Sequence, residues 1–133
     1  VKDLTNYSFT LIAGNPTVTL PKDLPDHLRF YNYGNAAEVA IELEKADLVI
    51  CRSGYSTLMD LAWCGKRALL IPTPGQAEQE YLAVQLDNEK ICLAKSQDLK
   101  NDIPKAFQYA GFKKSDPALF HQSFQKAVDA ILI

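Results

Sequence analysis

Short, uninterrupted apolar runs, each followed at once by a helix-forming stretch, are what most constrain the fold of this chain. "DLVIC" (47–51) and "KRALLIP" (66–72) are too short for helices and do not alternate, so each predicts a strand buried on both faces. "STLMDLAWCG" follows the first and "QAEQEYLAVQLDNEK" the second. Both are rich in good helix formers, and Gly65 stands where a left-handed C-cap is needed. In the second helix Tyr81, Leu82, Val84 and Leu86 supply the apolar content.

Upstream, "YSFTLIAG" alternates and then runs apolar to Gly14, which predicts a strand ending in a turn. Leu28 to Tyr33 predicts a second strand, stopped by Gly34. "NAAEVAIELEKA" predicts a helix with Asn35 at its N-cap, packing on a sheet through Val39, Ile41 and Leu43. "ICLA" is the last expected strand. "SQDLKNDIPKAFQYAG" and "DPALFHQSFQKAVDAILI" are expected helices, the second with Asp116 as N-cap and Pro117 at the first helical position. Strands separated by helices pair in parallel through right-handed crossovers, so the fold class is α/β with a doubly wound parallel sheet. One domain is expected over residues 1–133.

The totals narrow the function classes. With 14 basic against 16 acidic residues and a formal net charge of -2, the chain lacks the excess positive charge of a broad nucleic-acid surface. A small, local anion site remains compatible with that charge. No apolar run approaches the roughly 18 residues of a membrane span, and "VKDLTNYSF" lacks the layout of a signal peptide. The expectation is a soluble, cytoplasmic chain. Cys51, Cys64 and Cys92 are odd in number and unclustered, which predicts buried free thiols. His27 and His121 have no ligand-like spacing, so no metal and no cofactor are expected.

The segment "RSGYST" joins a buried strand to a helix at the carboxyl end of that strand, where ligands bind in such sheets. A helix start leaves backbone N–H groups without intrahelical partners and carries partial positive charge. Gly54 would let an anion approach that backbone, and Ser53, Ser56 and Thr57 add hydroxyls, so a phosphate or diphosphate fits. A capped helix after a glycine turn explains the same residues. Asp60, one turn into the helix, could accept from two hydroxyls of a ribose, or simply sit near a helix N-terminus. The next strand ends at Pro72, and Gln76, Glu78, Gln79 and Glu80 follow. Gln79 both donates and accepts, which suits sugar hydroxyls; a solvated helix start is the plainer reading.

Taken together, "DLVICRSGYSTLMDLAWCGKRALLIPTPGQAEQEYLA" resembles the donor-binding half of GT-B glycosyltransferases. The family 28 C-terminal domains are the nearest in pattern, in the group that includes the peptidoglycan UDP-N-acetylglucosamine transferase. The resemblance implies a Rossmann-like C-terminal half of GT-B that moves a hexosyl group from a UDP-sugar to an acceptor hydroxyl without a bound metal. It places Ser53, Gly54, Ser56 and Thr57 at the donor diphosphate, Asp60 at the ribose, Gln79 at the donor sugar, and the backbone of Tyr33 and Gly34 at the uracil edge. Two positions depart from the pattern: the acid is Asp, one methylene shorter than the usual Glu, and Ala83 replaces an Asn.

The resemblance also implies that a first, central strand and the acceptor half lie outside these residues, the latter in cis or as a separate subunit, and that the fragment tends to associate. A lipid-linked or saccharide acceptor, no nucleic acid, and peripheral attachment to the inner face of a membrane through the rest of the enzyme follow as expectations. The residue that deprotonates the acceptor belongs to the other half, so no catalytic residue is assigned here and the isolated chain should be inactive. Two other classes fit the same fold: a non-catalytic UDP-sugar-binding subunit, and a nucleotide-sugar 2-epimerase fragment. An apolar stripe on the last helix, Leu119, Phe120, Phe124, Val128 and Ile131, would favour the subunit if exposed.

Overall fold

The computed structural model describes residues 3–19, 22–94 and 98–119, together with Gln122, Gln125 and Asp129. In chain order these form β1 (Phe9–Ile12), β2 (Leu28–Tyr31), α1 (Ala36–Lys45), β3 (Val49–Cys51), α2 (Tyr55–Cys64), β4 (Ala68–Leu70), α3 (Ala77–Asn88), β5 (Leu93–Ala94) and α4 (Leu99–Ala106). Every strand pair is parallel. Among the described residues the ladders form two sheets, β1-β2 and β3-β4-β5.

The core is built on β4, whose three residues are at most 1% exposed. Side chains alternate across a strand, so Ala68 and Leu70 face a cluster with Leu58, Leu61, Ala83 and Cys92. Leu69 faces a second cluster with Leu4, Leu93, Ile103 and Ala106. Helices α2 and α3 supply the first cluster and α4 the second, which is the doubly wound arrangement the apolar runs require. Phe9 of β1 and Ile50 of β3 both pack against the second cluster, although no ladder joins their sheets.

Local chemistry sets the helix boundaries. Asn35 Oδ1 accepts from Glu38 N–H at 3.0 Å while Glu38 Oε2 accepts from Asn35 N–H at 2.8 Å, a reciprocal cap. Gly65 ends α2 in the left-handed region at φ 67. Lys66 Nζ then donates to the carbonyls of Glu44 and Ala46, occupying acceptors at the end of α1. Asp116 Oδ1 accepts from Ala118 N–H at 2.9 Å, and residues 117–119 are helical, as expected from the Asp-Pro start.

Several expectations need correction. β3 is half-buried at every position, with Val49 and Cys51 against the first cluster and Ile50 against the second, whereas β4 is fully buried on both faces. Helix α1 buries none of its residues fully, and Val39 and Ile41 are exposed, because the sheet it covers is only two strands wide. On α3 Tyr81 and Val84 point outward, while Leu82, Ala83 and Leu86 face the core. β2 stops at Tyr31, short of Tyr33, and β5 is only Leu93–Ala94. Of the expected apolar stripe on the last helix, Leu119 is exposed and Phe120, Phe124, Val128 and Ile131 lie outside the described residues. So do His121, and Ser96 and Gln97 ahead of α4.

Candidate functional site

β3 and β4 run side by side in register, Cys51 opposite Leu70, so the loops leaving their carboxyl ends emerge together. The first is the turn 52–54 into α2, the second the loop 71–76 into α3. Gly54 is the N-cap of α2, with φ -69 and ψ 144 and no side-chain cap. The first intrahelical bond runs from Leu58 N–H to Gly54 O at 3.0 Å. The N–H groups of Tyr55, Ser56 and Thr57 therefore precede the helical ladder and point out of its start.

Neither backbone nor packing demands glycine at 54. Its φ suits any residue, and a Cβ would meet nothing nearer than Gln79 Nε2 at 3.9 Å. Gly65 and Gly111 differ: both have positive φ, and a Cβ would lie 2.7 Å from Lys114 and Arg67 respectively.

Gln79 is the hub of this region. Its Oε1 accepts from Thr73 N–H at 3.0 Å, its Nε2 donates to Gln76 Oε1 at 2.6 Å, and its backbone carbonyl accepts from Ser53 Oγ at 2.7 Å. An amide offers two acceptor and two donor positions, so one of each remains, with Nε2 on the side of Gly54. Ser53 is 0% exposed. Its hydroxyl proton is already committed to α3, which makes the Ser53 side chain a fastener between the two loops rather than an open donor. That corrects its expected place among the free hydroxyls.

The structure thus joins Ser53 to Gln79 by a direct hydrogen bond and places Gly54 beside them. Ser56 is exposed and Thr57 half-buried in the first turn of α2, and Asp60 is exposed one turn further on. Tyr33 and Gly34 belong to the β1–β2 side. Gly34 packs against Ile12, Glu38 and Val39 and lines a largely apolar cleft of about 200 Å³ with Ile12, Tyr31, Glu38, Ile41 and Glu42. Position 83 is 1% exposed, so its side chain belongs to the core and not to a cleft.

Arg52 was not singled out from sequence, and Glu80, named there among the polar residues after Pro72, takes a defined partner. Arg52 Nη1 donates to the carbonyls of Ile71 and Pro72, and Glu80 Oε1 accepts from Gly75 N–H. A cation following a buried strand, beside a neighbouring strand that ends in proline, was the available signal for Arg52.

The thiols near the site are inert. Burial pushes Cys51 up to about 12, with Cys92 adding to the shift. Burial likewise pushes Cys92 up to about 11, against a backbone hydrogen bond at Ala68. Both stay protonated at neutral pH, and a thiol is a poor nucleophile.

Residues 12–123 match the model of the glycosyltransferase family 28 C-terminal domain. The chain belongs to this family. Among curated proteins, this family 28 domain is 30% identical over 109 residues to a protein of Caldanaerobacter subterraneus subsp. tengcongensis, covering 78% of the chain and 28% of that protein. It is 33% identical over 91 residues to one of Elusimicrobium minutum, covering 67% and 25%. It is 43% identical over 54 residues to one of Rickettsia africae, covering 39% and 14%. All three carry the name UDP-N-acetylglucosamine–N-acetylmuramyl-(pentapeptide) pyrophosphoryl-undecaprenol N-acetylglucosamine transferase. The domain spans under a third of the length of each.

Among solved structures, the glycotransferase of kitacinnamycin aligns with TM-score 0.62 at 19% identity, over 88% of this chain and 29% of that one. The glycosyltransferase SnogD from Streptomyces nogalater aligns with TM-score 0.52 at 19% identity, over 76% and 29%. At that identity the likeness concerns the fold alone, and it agrees with a Rossmann-like α/β domain.

Proposed function

We propose that this family 28 domain binds the nucleotide-sugar donor of a hexosyltransferase, with the diphosphate of a UDP-sugar at the start of α2. The observation that carries the reading is Gly54: no strain or clash calls for glycine there, yet a side chain would intrude beside the three N–H groups that open α2. A helix start with open N–H groups is an anion site in waiting. Ser56 and Thr57 would add hydroxyl donors, Asp60 would accept from the ribose, and the remaining amide positions of Gln79 would meet the sugar. The backbone of Tyr33 and Gly34 would meet the base.

In the transfer, the bond from the anomeric carbon to the diphosphate oxygen breaks as the acceptor hydroxyl attacks. Negative charge grows on the leaving UDP. Fixed N–H dipoles aimed at it stabilise that charge more than the ground state, a contribution of the oxyanion-hole kind. Nothing in this domain is assigned to deprotonate the acceptor, and acceptor binding is left to the rest of the protein.

The test is a calorimetric titration of the chain with UDP, ADP, GDP and inorganic phosphate, repeated on Gly54→Trp. Selective UDP binding that disappears in the variant supports the reading. A folded chain that binds none of the nucleotides overturns it.

A further inference from the structure

The last bond of the β3–β4 ladder runs from Ile71 N–H to Cys51 O at 2.9 Å. Backbone pairing does not continue past it. The next N–H of that strand to face β3 is Thr73's, which goes instead to Gln79 Oε1, and on the other side the chain turns into the core at Ser53. Arg52 takes over at this point: its Nη1 donates to Ile71 O at 3.0 Å and to Pro72 O at 3.1 Å. The guanidinium extends the cross-strand pairing by one step, from a side chain. Arg52 is exposed and makes no salt bridge among the described residues, so its hydrogen bonds go to main chain and not to a carboxylate.

Beyond Ile71, the loop that Arg52 grips is tied among the described residues to α3, through Thr73 N–H to Gln79 Oε1 and Gly75 N–H to Glu80 Oε1. The Thr73 bond is also what orients the Gln79 amide. Any drift of Pro72 away from β3 would therefore carry Thr73 with it and rotate Gln79 away from Gly54.

We propose that Arg52 is a positioning residue: it fixes the separation of the two loops and thereby aims Gln79, without itself touching the donor. The donor half of this inference rests on the function proposed above; the tie itself does not. Lysine at 52 keeps a donor able to reach a carbonyl, whereas methionine keeps much of the stem and loses every donor.

The experiment compares Arg52→Met and Arg52→Lys with the unaltered full chain. Amide hydrogen exchange is read by NMR at Thr73 and Gly75, with Leu69 and Leu70 as core controls. Affinities for UDP-N-acetylglucosamine and for UDP are measured by calorimetry. With Arg52→Met, Thr73 and Gly75 should exchange about tenfold faster with the core unchanged, the scale expected for losing a charge-assisted hydrogen bond. The UDP-sugar should weaken more than UDP, and Arg52→Lys should recover part of both effects.

Exchange at Thr73 and Gly75 that stays at the unaltered rate overturns the tie. Equal weakening of UDP and UDP-sugar with no recovery in lysine overturns the positioning role in favour of direct contact with the diphosphate. An unaltered chain that binds neither ligand overturns the donor half, while the exchange rates still decide the tie.

Discussion

Ser53 and two of the thiols show how much a single side chain's surroundings decide. Ser53 Oγ is sealed from solvent and donates to Gln79 O. Replacing it with alanine removes this bond while the Gln79 carbonyl keeps its place in the helical ladder of α3, so the cost is that of one hydrogen bond, about 0.5–1.5 kcal/mol. Chemical denaturation should therefore place Ser53→Ala clearly below the parent in stability. Unchanged stability with weakened ligand binding would instead make Ser53 a direct ligand contact. Of the three cysteines expected to be buried, Cys92 is, while Cys51 and Cys64 are half-buried. Cys51 and Cys92 are held protonated by burial, up to about 12 and about 11 against an ordinary 9.0. In the unfolded chain they ionise near 9, so the unfolded state loses protons first as pH rises. Their contribution to stability is complete below pH 9 and falls away between there and pH 12. Denaturation midpoints taken from pH 8 to 10.5 should drop, and drop less in Cys92→Ala after correction for its lower starting stability. Iodoacetamide at pH 8 should spare both thiols until the chain is unfolded.

At the level of elements, the caps and the central strand were legible in sequence because each depends on neighbours within a few residues. Asn35 with Glu38, Gly65 closing α2, Asp116 before Pro117 and the apolar run of β4 are of this kind. Tertiary placement was not legible. "DLVIC" and "KRALLIP" look alike, yet β3 lies at a sheet edge and β4 at a sheet centre, a difference made by pairing partners far along the chain. The site divides the same way: the Gly54 turn is local, while the Ser53–Gln79 and Arg52–Pro72 bonds link separate loops. Two glycines of similar appearance are separated by a stability measurement. Gly65→Ala places a Cβ 2.7 Å from the Lys114 backbone at φ +67 and should cost at least about 1–2 kcal/mol. Gly54→Ala has an ordinary φ and an open contact, and should cost no more than about 1 kcal/mol, the difference between glycine and alanine as N-caps. If the two variants melt together, Gly54 has a structural role that its geometry does not reveal, and the case for an anion at α2 weakens.

For the whole molecule, the decisive feature is that the five strands among the described residues are divided between two parallel sheets. Each sheet ends in strands whose outer N–H and C=O groups lack a ladder partner among the described residues, and such edges template pairing with other chains. Exposed apolar residues flank the two-stranded sheet, among them Leu11 on β1, Tyr31 on β2, and Val39 and Ile41 on α1, with Tyr31 and Ile41 lining the cleft at Gly34. In the three-stranded sheet the two faces of β4 are covered by α2 and α3 and by α4, while Tyr55, Met59 and Trp63 of α2 and Tyr81 and Val84 of α3 face outward from it. Association through strand edges should begin at the β1–β2 sheet, where both strands are edges among the described residues. Sedimentation velocity across a hundredfold range of concentration should show species larger than a monomer. Leu11→Lys, a charge placed on an exposed strand position that blunts edge pairing, should shift the distribution towards monomer without lowering the melting temperature of the β3-β4-β5 core. A chain that stays monomeric throughout would mean that the strand edges are shielded; association that ignores Leu11→Lys would move the contact to another face. The first outcome would make the two-sheet division a stable end state, and the second would direct attention to the outward Tyr81 and Val84 of α3.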